Sequence, residues 1–335
     1  MPNQSIREAN GFLFIGDPHL SSRRPGRRKD AEFGQTVLRK IEFAIDIANE
    51  RRLIPVFLGD MFDRAVETDE MLKTRLIRIL RKAWTLPITN TGNHDKANAV
   101  LSDGDSLAVL GETGLLKVAV HSGAVETFRI GGRLFGLGAT PYGQDAPTDA
   151  RPFFGKVDTI IWLTHHDVAF ENPYPGSMAP FAIAGCRLVV NGHMHLRKRP
   201  VQVGKTLWIN PGNITRQAID AIDHVPAVTA LTAEGKLETI PVPHEKAVFD
   251  LTGKLIDAIS PGEEGRKAAT EPETAESAFV NLLRADNAME MGKTDDGSVL
   301  LEEIEEKLER DGAPEDLRMI IRSLYDAAVR QNAQR

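Results

Sequence analysis

The sequence predicts an α/β fold, and three observations carry that prediction. Short apolar runs alternate with amphipathic stretches at helical spacing, the pattern of strands and covering helices. Each of several apolar runs ends in a cluster of polar, chemistry-bearing residues, as strands do where a ligand gathers at their carboxyl ends. The composition is that of an ordinary soluble domain, 41% hydrophobic and 26% charged over 335 residues, long enough for a main domain plus an appendage.

Taken in order, Phe12 to Ile15 reads as a strand and ends in Gly16-Asp17-Pro18-His19. A basic loop follows, with Arg23, Arg24, Arg27, Arg28 and Lys29 around the breaker Pro25-Gly26. Val37, Ile41, Ala44, Ile45 and Ala48 recur at helical spacing. Ile54 to Leu58 reads as a buried strand that ends in Gly59-Asp60-Met61-Phe62-Asp63-Arg64. A second helix carries Leu72, Leu76, Ile79 and Leu80 inward, and the strand Leu86 to Asn90 then delivers Gly92-Asn93-His94-Asp95. Short strands follow over Val118–Val120, Val125–Ile130 and Arg133–Leu137, the last two joined by the hairpin signal Gly131-Gly132. Thr159–Leu163 ends in Thr164-His165-His166-Asp167, and Arg187–Val190 ends in Asn191-Gly192-His193-Met194-His195. Val201–Val203 and Thr206–Ile209 precede the turn from Asn210 to Arg216, and Val225–Leu231 with Lys236–Val242 form a last hairpin.

The organisation expected is a main domain over residues 1–248, a linker over 249–276 and a helical tail over 277–335 that docks on the main domain or on a partner. Ser260-Pro261-Gly262 and the Ala/Thr/Glu-rich stretch to Glu276 mark the linker. Leu301, Ile304 and Leu308, then Leu317, Ile320, Ile321, Leu324 and Ala328, form the apolar stripes of the tail.

The net charge of -6 excludes a globally basic nucleic-acid binder and leaves only local patches for that role. One cysteine, Cys186, excludes an internal disulfide and fits a reducing compartment; its place beside an apolar run makes it a core residue. Met1 to Asn10 is polar and lacks a signal-peptide core, and no apolar stretch approaches the roughly 20 residues that span a bilayer. The expected location is the cytoplasm, without a membrane.

The strand-end side chains Asp17, His19, Asp60, Asn93, His165 or His166, His193 and His195 form one collection. Six of the nine histidines lie in these clusters or, as His94, in the Gly92-Asn93-His94-Asp95 motif. Carboxylate, amide oxygen and imidazole together are the ligand set of divalent cations such as manganese, iron or zinc. They are too many for one ion and about right for two with Asp60 shared. Two cations about 3.5–4 Å apart generate a bridging hydroxide and clamp both attacking and leaving oxygens of a phosphoester.

Asp17-x-His19, Gly59-Asp60, Gly92-Asn93-His94-Asp95, His165 and Gly192-His193-x-His195, in this order, resemble the five motifs of the calcineurin-like metallophosphoesterases. The resemblance implies a four-layer α/β/β/α sandwich of two mixed sheets flanked by helices, with the helical tail as an appendage. It implies that Asp17, His19, Asp60 and His195 hold one metal ion. Asp60, Asn93, His165 and His193 hold the other. His94 protonates the leaving oxygen or stabilises the transition state, with Asp95 orienting it. Manganese is the expected metal, with iron, zinc or magnesium as alternatives.

Within that family the chain is most similar to the nuclease subunit of SbcCD-type DNA-repair exonucleases. The features that carry this are the Arg-rich loop, the Asn210-Pro211-Gly212-Asn213-Ile214-Thr215-Arg216 turn, the terminal hairpin and the helical tail. The implied partners are DNA, a coiled-coil ATPase subunit and a second copy of the chain in a homodimer. Arg23, Arg24, Arg27 and Arg28 follow the first metal motif, and Arg197 and Arg199 follow the last, so these six are expected to contact a phosphate backbone. Other residues read as structural: Asp63 as a turn former or supporting acceptor, His121, His224 and His244 as surface residues, Met194 as core and Tyr142 as packing. The alternatives to a DNA-cleaving enzyme are a small-molecule phosphodiesterase or phosphatase with the same site, and a non-catalytic scaffold of the same fold.

Overall fold

A computed structural model describes residues 6–251, together with Glu315, Arg318, Met319 and Arg322, which are helical. The linker and tail expected beyond residue 248 otherwise lie outside the described residues.

Over residues 6–251, thirteen strands and three α-helices follow one another: β1 (Arg7–Ala9), β2 (Gly11–Ile15), α1 (Phe33–Arg51), β3 (Leu53–Phe57), α2 (Glu70–Leu80), β4 (Ile88–Asn90), α3 (Ser106–Glu112), β5 (Lys117–Ala119), β6 (Gly123–Ile130), β7 (Arg133–Thr140), β8 (Thr159–Thr164), β9 (Cys186–Asn191), β10 (Val201–Val203), β11 (Thr206–Ile209), β12 (Ala227–Thr232) and β13 (Leu237–Pro241). They form two mixed sheets, one of seven strands in the order β1-β6-β7-β8-β9-β11-β10 and one of six in the order β13-β12-β2-β3-β4-β5.

The inner faces of the two sheets share one core. Phe12, Phe14, Ile54, Val56 and Ile88 meet Phe128, Leu137, Ile161, Leu163 and Val190 there. Alternation along each strand sends the neighbours outward. Leu13, Ile15 and Phe57 face the helices, where Val37, Ile41, Ala44 and Ile45 of α1 and Leu72 and Leu76 of α2 cover them. Ile160, Trp162, Val189 and Trp208 form the outer core of the seven-stranded sheet, with Val168, Phe170 and Ile183 of the connecting loops packed on it. α1 and α2 thus cover the six-stranded sheet, and loops pack on the outer face of the other.

α1 ends at Arg52, which adopts the left-handed conformation (φ 54°), and its N–H returns to the carbonyls of Ala48 and Asn49. α2 starts at Asp69, whose carboxylate accepts the Leu72 N–H. Two elements escape the sequence reading. β1 lies in the N-terminal stretch read as merely polar; it pairs parallel with β6, and Arg7 donates from Nε to Glu126 at 2.5 Å. α3 is too short to show a helical period.

The described residues divide into two compact units. The larger comprises the chain up to Arg24, Asp30–Arg216 and Asp223–Lys246, and contains both sheets. The smaller joins Pro25–Lys29, Gln217–Ile222 and the described residues from Ala247 onward. In the smaller unit Ile219, Val248 and Phe249 form a core, the Lys29 N–H donates to the Val248 carbonyl at 2.8 Å, and the Asp250 N–H donates to the Arg27 carbonyl at 2.7 Å.

Candidate metal centre

β2, β3 and β4 are adjacent and parallel, so their carboxyl ends lie at one edge of the six-stranded sheet. β8 and β9 are parallel neighbours in the other sheet. The five motifs sit just beyond these five ends. Main-chain bonds join them: His19 N–H to the Asp60 carbonyl (2.9 Å), Leu58 N–H to Ile15 (3.0 Å), Gly192 N–H to Thr164 (2.9 Å) and Asn213 N–H to His195 (2.9 Å).

Close approach dictates the glycines. A Cβ on Gly92 would lie 2.0 Å from Asp60 Oδ1, and one on Gly192 would lie within 3 Å of His165, Leu58 and Asp17 at once. His19, Asp60 and His193 adopt left-handed backbone (φ 47°, 47° and 69°), three of the four non-glycine residues that do so among those described. Such strain persists where the surroundings over-determine it, as at functional sites.

The side chains converge in three groups, each with its ligand-type atoms within 4.8 Å of one another: Asp17, His19 and His195; Asp60, His165 and His193; and His19, Asp63 and His94. His19 Nε2 lies 3.0 Å from His195 Nε2 and 3.7 Å from Asp60 Oδ2. His165 Nε2 lies 3.1 Å from the same Asp60 oxygen. His193 Nδ1 lies 3.0 Å from Asn93 Oδ1. Asp60 therefore stands between the first two groups.

The donor set fits a cation site. Asp17 is buried, and neither carboxylate oxygen has a hydrogen-bond partner. Burial in that state costs several kcal/mol unless a positive charge is at hand. Burial works against a charge on Asp60, but His165, His94 and His19 hold its carboxyl well below the usual range. Burial likewise opposes protonation of His165, yet the Asp60 and Asp17 charges raise it to about 10. An imidazolium thus meets a demand for positive charge that a divalent cation would also meet. Burial and then His19 push His195 well below its ordinary value, which leaves it the neutral imidazole a metal requires.

His165, not His166, enters the cluster. Its Nδ1 donates to the Leu58 carbonyl at 2.9 Å, which turns Nε2 toward Asp60. His166 instead donates from Nε2 to the Gln144 carbonyl (2.9 Å), accepts the His165 N–H at Nδ1 (3.2 Å) and stacks on Tyr142.

Asp95 does not orient His94 in the way expected. Its two oxygens accept the N–H groups of Gly92 (2.9 Å) and Phe62 (3.3 Å), and it is wholly buried. Burial, reinforced by the Asp60 charge, raises its pKa to about 7. The hydrogen bond that aims the His94 ring runs from Nδ1 to the main-chain carbonyl of Asp63 at 2.8 Å. Asp63, read as structural, thus supports His94 through its backbone and faces His19 Nδ1 with Oδ1 at 3.5 Å. The sequence signal was present in the Asp60-Met61-Phe62-Asp63 spacing, but a turn-forming aspartate has the same appearance.

The six arginines expected at a phosphate backbone separate. Arg23, Arg24 and Arg199 are exposed. Arg197 is exposed and donates to Thr239 Oγ1. Arg27 donates to the Asp250 carbonyl at 3.3 Å. Arg28 is 2% exposed, with its guanidinium 5.7 Å from the Phe249 ring centroid, so it is a packing element rather than a surface contact. A charge run in sequence carries no sign of which members an aromatic ring later covers.

The remaining readings divide similarly. Cys186 is buried in the outer core, which pushes its thiol up to about 12. Met194 is partly buried against that core. Arg216 closes a turn by donating to the Glu245 and Lys246 carbonyls. Asn213 is buried with neither side-chain amide atom hydrogen-bonded. His121 is exposed and His244 is half-buried. His224 is half-buried as well, and its Nε2 donates to the Asn213 carbonyl at 2.8 Å, while its ring fills the space a Cβ on Gly212 would need. Tyr142 packs as expected, with its ring centroid 5.4 Å from that of His193, and Asp167, which received no role from the sequence, lies 3.0 Å from His193 Nε2.

No curated protein matches the chain by sequence. Among solved structures, a 5'-nucleotidase precursor from Thermus thermophilus is similar at 13% identity and a TM-score of 0.40, over 69% of this chain and 54% of that one. The chain thus spans about half the length of that precursor (54%). TT1561 from the same organism is similar at 12% identity and a TM-score of 0.40, over 70% of this chain and 100% of that one. The family model described as calcineurin-like phosphoesterase matches residues 11–197, more than half of the chain and all five motifs from Asp17 to His195. Strand order, motif placement and this match agree, and the chain belongs to the calcineurin-like phosphoesterases.

Proposed function

We propose that the chain hydrolyses phosphodiester bonds, with DNA as the substrate and two divalent cations, manganese foremost, as cofactors. The observation that carries the hydrolytic reading is the pair of ligand clusters flanking Asp60, with the unpartnered Asp17 carboxylate in one of them. In this reading Asp17, His19, Asp60 and His195 hold one cation, and Asp60, Asn93, His165 and His193 hold the other. The bound cations supply Lewis-acid polarisation of the phosphoryl group and a lowered pKa for water.

The protein's own residues then have distinct tasks. Asp60 couples the two cation sites. Its Oδ1 accepts the His94 N–H at 2.9 Å, so the loop that carries His94 is tied to the shared ligand. His94, aimed by the Asp63 carbonyl, is assigned the proton transfer to the leaving oxygen through Nε2. Asn93 contributes an amide oxygen, which binds a hard cation without adding charge.

The exposed Arg23, Arg24 and Arg199 support a polyanionic substrate, because each lies within a few residues of a ligand motif. The burial of Arg28 favours the second reading, a small phosphodiester or phosphomonoester, since it removes one cation from the expected rim. A manganese-dependent digestion assay decides between them, with end-labelled linear DNA, circular DNA, RNA and a small chromogenic phosphodiester as substrates. Cleavage of DNA well above the small ester supports the first reading; turnover of the small ester alone overturns it. The coiled-coil ATPase partner and the homodimer belong to the same proposal, and the segment expected to dock the ATPase lies outside the described residues.

A further inference from the structure

We propose that Asp167 is a positioning residue for the second cation cluster, acting through His193, and that Tyr174 holds it in that role. The inference rests on the reading that His193 is a ligand. His193 Nε2 lies 3.0 Å from Asp167 Oδ2. A carboxylate only accepts, so Nε2 carries hydrogen and Nδ1 is the nitrogen that faces Asn93 Oδ1 at 3.0 Å. The other oxygen of Asp167 accepts the Tyr174 hydroxyl at 3.0 Å.

The loop that carries both residues is closed on itself. The Met178 N–H donates to the Asp167 carbonyl at 2.9 Å, Val168 bridges to Met178, and the Tyr174 N–H donates to Ser177 Oγ at 2.9 Å. Tyr174 is thereby returned to Asp167, seven residues earlier in sequence.

The two imidazoles of this cluster are anchored through opposite nitrogens. His165 gives Nδ1 to the Leu58 carbonyl and turns Nε2 inward. His193 gives Nε2 to a side chain and turns Nδ1 inward. The first anchor is main chain and buried. The second is a carboxylate whose side chain is 38% exposed, and it can be altered by substitution. Loss of such a supporting acceptor weakens metal binding by about 10–100-fold.

The test is a calorimetric Mn2+ titration of the full chain, with elemental analysis after removal of free metal. Wild type, Asp167→Ala, Asp167→Asn and Tyr174→Phe are compared, with thermal unfolding as the check on folding. Two ions are expected on the wild type. Asp167→Ala is expected to weaken one of them by about 10–100-fold and leave the other unchanged. Asp167→Asn keeps an accepting oxygen and is expected to restore part of that affinity, and Tyr174→Phe to weaken the same ion by a few-fold. Wild-type affinities at both sites in folded Asp167→Ala overturn the inference alone. Equal weakening of both ions overturns it as well. If Asp167→Ala fails to fold, unchanged binding in both Asp167→Asn and Tyr174→Phe overturns it. Fewer than two ions on the wild type overturns the parent reading together with the inference.

Discussion

The Nδ1 of His94 donates to the main-chain oxygen of Asp63 at 2.8 Å, so the ring that faces the ligand clusters is aimed by the loop after β3 rather than by its sequence neighbour Asp95. In the proposed mechanism its Nε2 serves proton transfer and not ligation. His94→Ala is expected to lower manganese-dependent hydrolysis by about 10²–10⁴-fold, the usual range for a general acid. Bound metal should remain at the wild-type level. Turnover rates and elemental analysis on the same preparation check both halves, and loss of metal would move His94 among the ligands.

Asp60 Oδ2 lies 3.1 Å from His165 Nε2 and 3.7 Å from His19 Nε2, one from each ligand cluster. Asp60→Asn removes the shared charge and is expected to lower occupancy of both cation sites together. Elemental analysis reads this directly, and loss of a single ion would contradict the bridging position.

Asp95 accepts two buried amides, from Gly92 and Phe62. Asp95→Ala leaves both N–H groups without that acceptor, and each orphaned buried donor costs about 1–3 kcal/mol. Chemical denaturation should show a loss of about 2–6 kcal/mol for the two donors together. Unchanged stability with lost activity would instead return Asp95 to the role of orienting His94.

Arg23 and Arg24 are exposed, whereas Arg28 is packed against Phe249. Arg23→Glu with Arg24→Glu is expected to weaken DNA cleavage strongly and to flatten its salt dependence, with little change toward a small phosphodiester. Arg28→Ala is expected to lower the melting temperature. Equal loss on both substrates in the double variant favours the small-molecule reading.

Burial opposes the charge on Glu126, but Arg7 and Lys117 hold its carboxyl below the ordinary 4.5. A depressed carboxyl contributes stability that is full above its unfolded pKa and is lost as pH falls through its folded pKa. Glu126→Gln should therefore destabilise the protein near neutral pH and narrow the gap to wild type as pH falls below 4.5. Urea denaturation at a series of pH values measures this, and a gap that widens toward acid would refute the sign.

Much of the larger unit was legible along the chain. The alternation of Phe12–Ile15, Ile54–Leu58 and the two helical stripes dictated parallel strands with covering helices, because burial must follow the period of each element. The five motifs were legible because each lies just past an apolar run. β1 was not, since its formation rests on a partner distant in sequence, Glu126 for Arg7, and α3 was not, because its seven residues are too few to show a helical period.

The order of residues along the chain set the ligand types and their succession, from Asp17 to His195, because residue chemistry and strand ends are local properties. Folding was needed to choose His165 over His166, to assign the support of His94 to Asp63, to bring Asp167 to His193, and to bury Arg28. Each of these depends on which atom a ring nitrogen, a carboxylate or a guanidinium meets across a gap in sequence. Two sheets must close on a common core before a carbonyl at Leu58 can anchor a ring at His165.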